Sequence, residues 1–137
     1  MVFVDSNVPM YVAGREHPLR DPARRFLERA RAGEVDICTS TEVLQEILYR
    51  YTALKRRDLA AAVYDLFVQL CPTVLPVTLA DTDLAKALLS KLAGVSVRDA
   101  VHAAVMLNHD VREIATFDDG FDRIEGVSRV RLASDLP

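Results

Sequence analysis

The chain has 137 residues and a mass of 15.2 kDa, a length that fits one folded domain able to bury roughly two-thirds of its unfolded surface. Half of its residues are hydrophobic and 27% are charged, which is globular composition and excludes a disordered or fibrous chain. The net charge of −3 by itself argues against a nucleic-acid partner, because phosphate contacts want a basic surface.

That charge is uneven: residues 1–57 hold ten basic and eight acidic side chains, and residues 58–137 hold seven and twelve. No apolar run approaches the ~18 residues needed to cross a bilayer, so no membrane span is expected. Met1-Val2-Phe3-Val4 reaches Asp5 at once, unlike a secretory leader, and a cytoplasmic setting is expected. Cys38 and Cys71 show no metal-ligand spacing and follow apolar stretches, so they read as buried free thiols.

Met1 to Val4 is a short apolar run consistent with a buried strand. Asp5-Ser6-Asn7 then offers capping side chains, and Pro9 suits the start of a short helix through Val12. Residues 14–22, with two prolines, read as a loop. Ala23, Phe26, Leu27 and Ala30 follow helical spacing up to Gly33. Val35 to Cys38 is the second strand. Thr39-Ser40-Thr41 opens a helix whose stripe is Val43, Leu44, Ile47, Leu48 and Tyr51. Leu59 to Leu70 is a further helix stopped by Pro72, and Val74 to Val77 a third strand. Asp81 to Leu92 is helical, with Leu84, Ala87, Leu88 and Leu92 inward and Gly94 as terminator. Ser96 starts a helix carrying Ala100, Val101, Ala104, Val105 and Leu107. Glu113 to Phe117 is a strand, and Arg129 to Leu132 a last edge strand. This alternation predicts an α/β fold, one domain over residues 1–137, with a central parallel sheet of about four to five strands covered by helices on both faces.

The placement of the acids carries the chemistry. Asp5 directly follows the first strand; Asp118, Asp119 and Asp122 follow Ile114-Ala115-Thr116-Phe117. In a parallel sheet both strand ends open on one edge, where ligands collect. Glu46 and Asp99 sit on helices among apolar neighbours. Each acid also has a local explanation. Asp99 completes a capping box with Ser96, Glu46 pairs with Arg50, Asp5 caps the next helix, and Asp118 to Asp122 form a turn at Gly120. Gathered at one edge, however, the four would repel one another unless a cation joined them. With no Cys/His set for zinc, a hard ion such as Mg²⁺ or Mn²⁺ suits them, and such an ion facing a phosphodiester activates water for hydrolysis.

Four segments, taken together, resemble the PIN domain family. Val4-Asp5-Ser6-Asn7-Val8 is similar to its strand followed by Asp-Thr-Asn, and Ser40 to Ile47 is similar to its glutamate segment, with the match on Glu46. Val97-Arg98-Asp99-Ala100-Val101-His102-Ala103-Ala104 resembles its Asp-Ala-x-His-Ala-Ala stretch, and Ala115 to Asp122 its Thr-x-Asp-x-x-Phe segment. The length and the start are most similar to the VapC-type toxins. The resemblance implies a Mg²⁺- or Mn²⁺-dependent endoribonuclease, usually dimeric and inhibited by a small antitoxin. It implies Asp5 and Asp99 as the main metal ligands, with Asp118 the further acidic ligand. Glu46 completes the catalytic set, as a ligand through water or a positioner of the nucleophile. Thr116 would hold Asp118 by its hydroxyl, and Asn7 would steady Asp5 or the scissile phosphate. Ser6 stands where the family commonly has threonine, and Gly120 where it often has another acid, leaving Asp119 or Asp122 to assist.

Glu42 is expected to face solvent, and His102 to be a packed structural histidine rather than a general acid. Candidate RNA contacts are Arg15, Lys55 and Arg56, from the wider basic groups at Arg20, Arg24 and Arg25 and at Arg57. A receiver or aspartyl-phosphate phosphotransferase shares the acid after strand one, but Asn7 stands where the latter needs a second Asp. A binding-only module leaves the four acids without use. An RNA-processing nuclease without an antitoxin stays open within the same chemistry.

Overall fold

Five short strands, largely buried at the centre of the sheet and half-buried or exposed at its edges, run through the computed structural model, which describes residues 1–132. They are β1 (Val2–Val4), β2 (Ile37–Ser40), β3 (Thr73–Leu75), β4 (Glu113–Ala115) and β5 (Ser128–Arg129). The sheet order is β3-β2-β1-β4-β5, and every neighbouring pair is parallel. Successive strand residues point to opposite faces, and Phe3 and Val4 are both fully buried, so both faces of the sheet are covered. The α/β reading holds, with five strands.

Six helices fill the crossovers: α1 (Asn7–Ala13), α2 (Arg20–Arg31), α3 (Thr41–Ala53), α4 (Arg57–Leu70), α5 (Leu79–Lys91) and α6 (Val97–Asn108). None of them is long and apolar enough to cross a membrane. Helix α2 begins inside the segment expected to be a loop, because Pro22 falls in its first turn, where a missing N–H costs no helical bond. It ends at Gly33, whose φ of +80° is the left-handed conformation that closes a helix. Ser40 caps α3 by accepting from Val43 N at 3.4 Å. Helix α5 starts two residues early, in a capping box between Thr78 and Asp81. Along α3 and α5 the expected stripes shift: Leu48 is exposed, as is Ala87, while Ala85 is buried. Helix α6 buries Ala100, Ala104 and Val105 of the expected face together with Ala103 and Met106, while Val101 and Leu107 are half-buried.

Strand bounds move too. β2 lies two residues later than expected because Thr39 and Ser40 are fully buried despite being polar; the Thr39 hydroxyl donates to the Val4 carbonyl at 3.0 Å. β5 is confined to Ser128–Arg129 rather than reaching Leu132. Cys38 and Cys71 are free and buried, as expected.

The chain winds outward from β1 through β2 to β3 and then returns to β4 on the other side of β1. The order therefore reverses between β1 and β4, the place where α/β sheets open a crevice beyond their carboxyl ends. Register carries this to single residues: Val4 pairs with Ala115, so Asp5 and Thr116 leave the sheet side by side. Asp5 N donates to the Ala115 carbonyl at 3.0 Å.

Candidate active site

Asp5 stands at the carboxyl end of β1 and is 5% exposed. Its Oδ1 accepts from Ser6 N at 2.7 Å and its Oδ2 from the Thr116 hydroxyl at 2.8 Å. Thr116 Oγ in turn accepts from Asn7 Nδ2 at 3.1 Å and from Asp118 N at 3.0 Å. A hydroxyl has one proton and two acceptor sites, so all three are used. Thr116 was expected to hold the Asp118 carboxylate. Its proton goes to Asp5 instead, and Asp118 is tied only through its backbone amide. Asn7 thus steadies Asp5 through Thr116.

Glu46 comes from α3 and is buried as well. Its partners are not Arg50 but the Ser6 hydroxyl at 2.7 Å, His102 Nε2 at 2.6 Å and Arg98 Nη1 at 3.4 Å. Burial alone would raise its pKa; the His102 hydrogen bond and charge, the Ser6 hydroxyl and Arg98 outweigh that and hold it below the ordinary value. Asp5 goes the other way. Burial raises its pKa more than His102 and Thr116 lower it, and the Glu46 charge adds to the rise.

Asp99 occupies the first turn of α6, whose cap Ser96 accepts from Asp99 N at 3.1 Å. The serine half of the expected capping box forms, while the Asp99 carboxylate turns toward Asp118. The two carboxyls lie within hydrogen-bonding reach, and burial, that contact and the charges of Asp118 and Asp5 push Asp99 up to about 7. Asp118 caps a 3-10 turn (Asp119–Arg123) by accepting from Gly120 N at 2.8 Å. A Cβ on Gly120 would stand 3.1 Å from both Asp118 Oδ1 and Asp99 Oδ2, so the glycine leaves room for the two acids to meet.

Four acids from four separate elements thus line one groove of about 1070 Å³ that also includes Tyr11, Arg50 and Arg98. Two carboxyls in contact need a proton or a cation between them. This all-oxygen acidic set fits a hard divalent ion; among the described residues Asp5, Glu46 and His102 also bring ligand atoms within 4.8 Å of one another.

Other expected residues fall elsewhere. Asp122 forms a two-bond pair with Arg129, at 2.8 and 2.7 Å, that ties the 3-10 turn to β5; it does not join the acids. Arg56 pairs with Asp58 at 3.4 Å, and neither Lys55 nor Arg56 lines the groove, while Arg15 follows the lining residue Gly14. Glu42, expected in solvent, lines the groove. His102 is fully buried, as a packed residue should be, yet among the described residues its only polar contacts are to the acids. Sequence reading missed Arg50 and Arg98 as groove residues and Ser6 as the tie between Asp5 and Glu46. The adjacency of Arg98 to Asp99 was the available signal.

A family model for the PIN domain matches residues 2–127. The chain belongs to the PIN domain family. Ribonuclease VapC13 of Mycobacterium tuberculosis is 42% identical over 130 residues, covering 95% of this chain and 99% of that one, which puts the chain in the VapC branch. Among solved structures, VapC20 of Mycobacterium tuberculosis, described as a sarcin-ricin loop cleaving toxin, aligns with a TM-score of 0.74 at 21% identity, covering 89% of this chain and 93% of that one. A toxin-antitoxin complex from Klebsiella pneumoniae aligns with a TM-score of 0.68 at 16% identity, covering 96% and 98%. At those identities the structures share the fold.

Proposed function

We propose that this protein is an endoribonuclease dependent on Mg²⁺ or Mn²⁺, acting in the cytoplasm as the toxin of a VapC-type toxin–antitoxin pair. The observation that carries the reading is the convergence of Asp5, Glu46, Asp99 and Asp118 on one groove, a cluster of carboxylates that calls for a cation. The 42% identity to a VapC ribonuclease supports RNA as substrate, and the toxin–antitoxin complex of the same fold supports a small antitoxin as partner. Exposed Leu48, Tyr49, Leu54 and Leu66 on and beside α3 and α4 supply apolar surface suited to a second copy.

Asp5, Asp99 and Asp118 would hold the ion. When bound, it supplies Lewis-acid stabilisation of the phosphate charge and a more acidic attacking water. Glu46, with its lowered pKa, stays ionised at neutral pH and orients that water. Thr116 and Ser6 fix Asp5 and Glu46 against rotation. Arg98, 44% exposed, and Arg50 offer guanidinium groups to the RNA backbone from the groove wall.

The test is cleavage of total RNA by the purified protein with Mg²⁺ or Mn²⁺, with EDTA, and with Asp5→Ala or Asp99→Ala. Cleavage that EDTA and either substitution abolish is expected. Full activity in EDTA or in both variants would overturn the metal-site reading.

A further inference from the structure

Glu46 is gripped at both oxygens by neighbouring side chains. Oε2 accepts from Ser6 and Arg98, at 2.7 and 3.4 Å. Oε1 meets His102 Nε2 at 2.6 Å. The His102 ring is fully buried, with the Phe3 ring at a centroid distance of 5.7 Å and the Phe121 ring at 6.5 Å. Its Nδ1 has no hydrogen-bond partner among the described residues. An ionised carboxylate has only acceptors, so the proton in the short contact sits on Nε2. Among the described residues the imidazole therefore spends its one polar contact of hydrogen-bond length on Glu46, in otherwise apolar, aromatic surroundings.

We propose that His102 is a positioning residue for the ribonuclease reaction: its Nε2–H braces the Glu46 carboxylate in the orientation that the acid cluster requires. The proposal rests on the reading of the chain as a metal-dependent ribonuclease. Asp99 and His102 are three residues apart, hence on one face of α6, so one helix presents a ligand and the brace for a carboxylate of α3. His102 Nε2 also lies 3.7 Å from Asp5 Oδ1, which makes direct ligation the rival role. Two donors at right angles, each about 2.1 Å from one ion, stand about 3 Å apart; the 2.6 Å contact is a hydrogen-bond distance instead.

The first arm of the test uses wild-type protein labelled with ¹⁵N on histidine. NMR of the ring nitrogens is recorded before and after addition of Mg²⁺ alone. A proton retained on Nε2 in both samples is expected; its loss on adding Mg²⁺ would overturn the proposal in favour of ligation. The second arm compares His102→Gln, whose amide N–H can stand near the Nε2 position, with His102→Leu, which fills the space without a donor. Glutamine should keep kcat within ~10-fold of wild type, and leucine should lose ~100-fold with little change in KM, as for the partners that orient metal-site carboxylates. Equal losses in two variants that melt like wild type would overturn the brace. A wild type that cleaves no RNA overturns the ribonuclease reading instead, and the NMR arm still decides the brace, as it does if the leucine variant fails to fold.

Discussion

Asp99 and Asp118 show what a residue's sequence position reveals and what it hides. Each follows or opens an apolar segment, which marked both as site candidates. Both carboxylates come within 3.1 Å of where a Cβ on Gly120 would stand, a close approach that no spacing rule encodes. The contact has a measurable consequence for the metal-free protein. Asp99 is raised from 3.8 to about 7, so between those values the folded state holds a proton that the unfolded chain has released. Its contribution to stability is full below pH 3.8 and is lost as pH rises through about 7. Thermal melts in EDTA should show Asp99→Asn gaining on wild type as pH rises from 4 to 8; an unchanged difference across that range would contradict the raised pKa. His102 shows the opposite failure. Its apolar neighbours on α6 correctly indicated burial but gave no sign of the bond it makes to a carboxylate 56 residues away.

At the scale of elements, hydrophobic alternation was enough for the α/β class because the central strands β1 and β2 are buried on both faces. It failed where polar residues are buried by hydrogen bonds, as at Thr39 and Ser40 in β2, or where a proline sits harmlessly in a first helical turn, as at Pro22. The ties between elements are also invisible to it. Thr116→Val removes the hydroxyl that joins β4 to Asp5, Asn7 and the Asp118 amide; a loss of metal affinity of about 10–100-fold is expected by calorimetry. Gly120→Ala should reduce cleavage while leaving the melting temperature near wild type, because its new methyl presses on two site carboxylates rather than on the core. Asp81 is the control. It is 1% exposed and joins α5 to α6 by accepting from Asn108 Nδ2 at 2.8 Å, far from the acid cluster in role. Asp81→Ala should cost about 0.5–2 kcal/mol in chemical denaturation, since it removes the capping box of α5 as well as the tie to Asn108, yet leave kcat of the remaining folded enzyme unchanged.

For the whole molecule, the reversal of strand order between β1 and β4 decides where the chemistry sits. The strand–helix alternation already implied a shared carboxyl edge; the strand order, which periodicity does not encode, places Asp5 beside Thr116. The charge of −3 also changes meaning. Without Asp5, Glu46, Asp99 and Asp118 it becomes +1, so the acidic total reflects in part the site that would cut RNA rather than a surface that repels it. RNA affinity should therefore rise on adding metal, and binding to an uncleavable RNA measured in EDTA and in Mg²⁺ checks this. The central claim is that carboxylates from separate elements form one cation site. Titration of Mn²⁺ into wild type and Asp99→Asn, followed by electron paramagnetic resonance, tests it most directly. The account expects saturable binding by wild type and at least ~10-fold weaker binding by the variant; equal affinity in the two would contradict it.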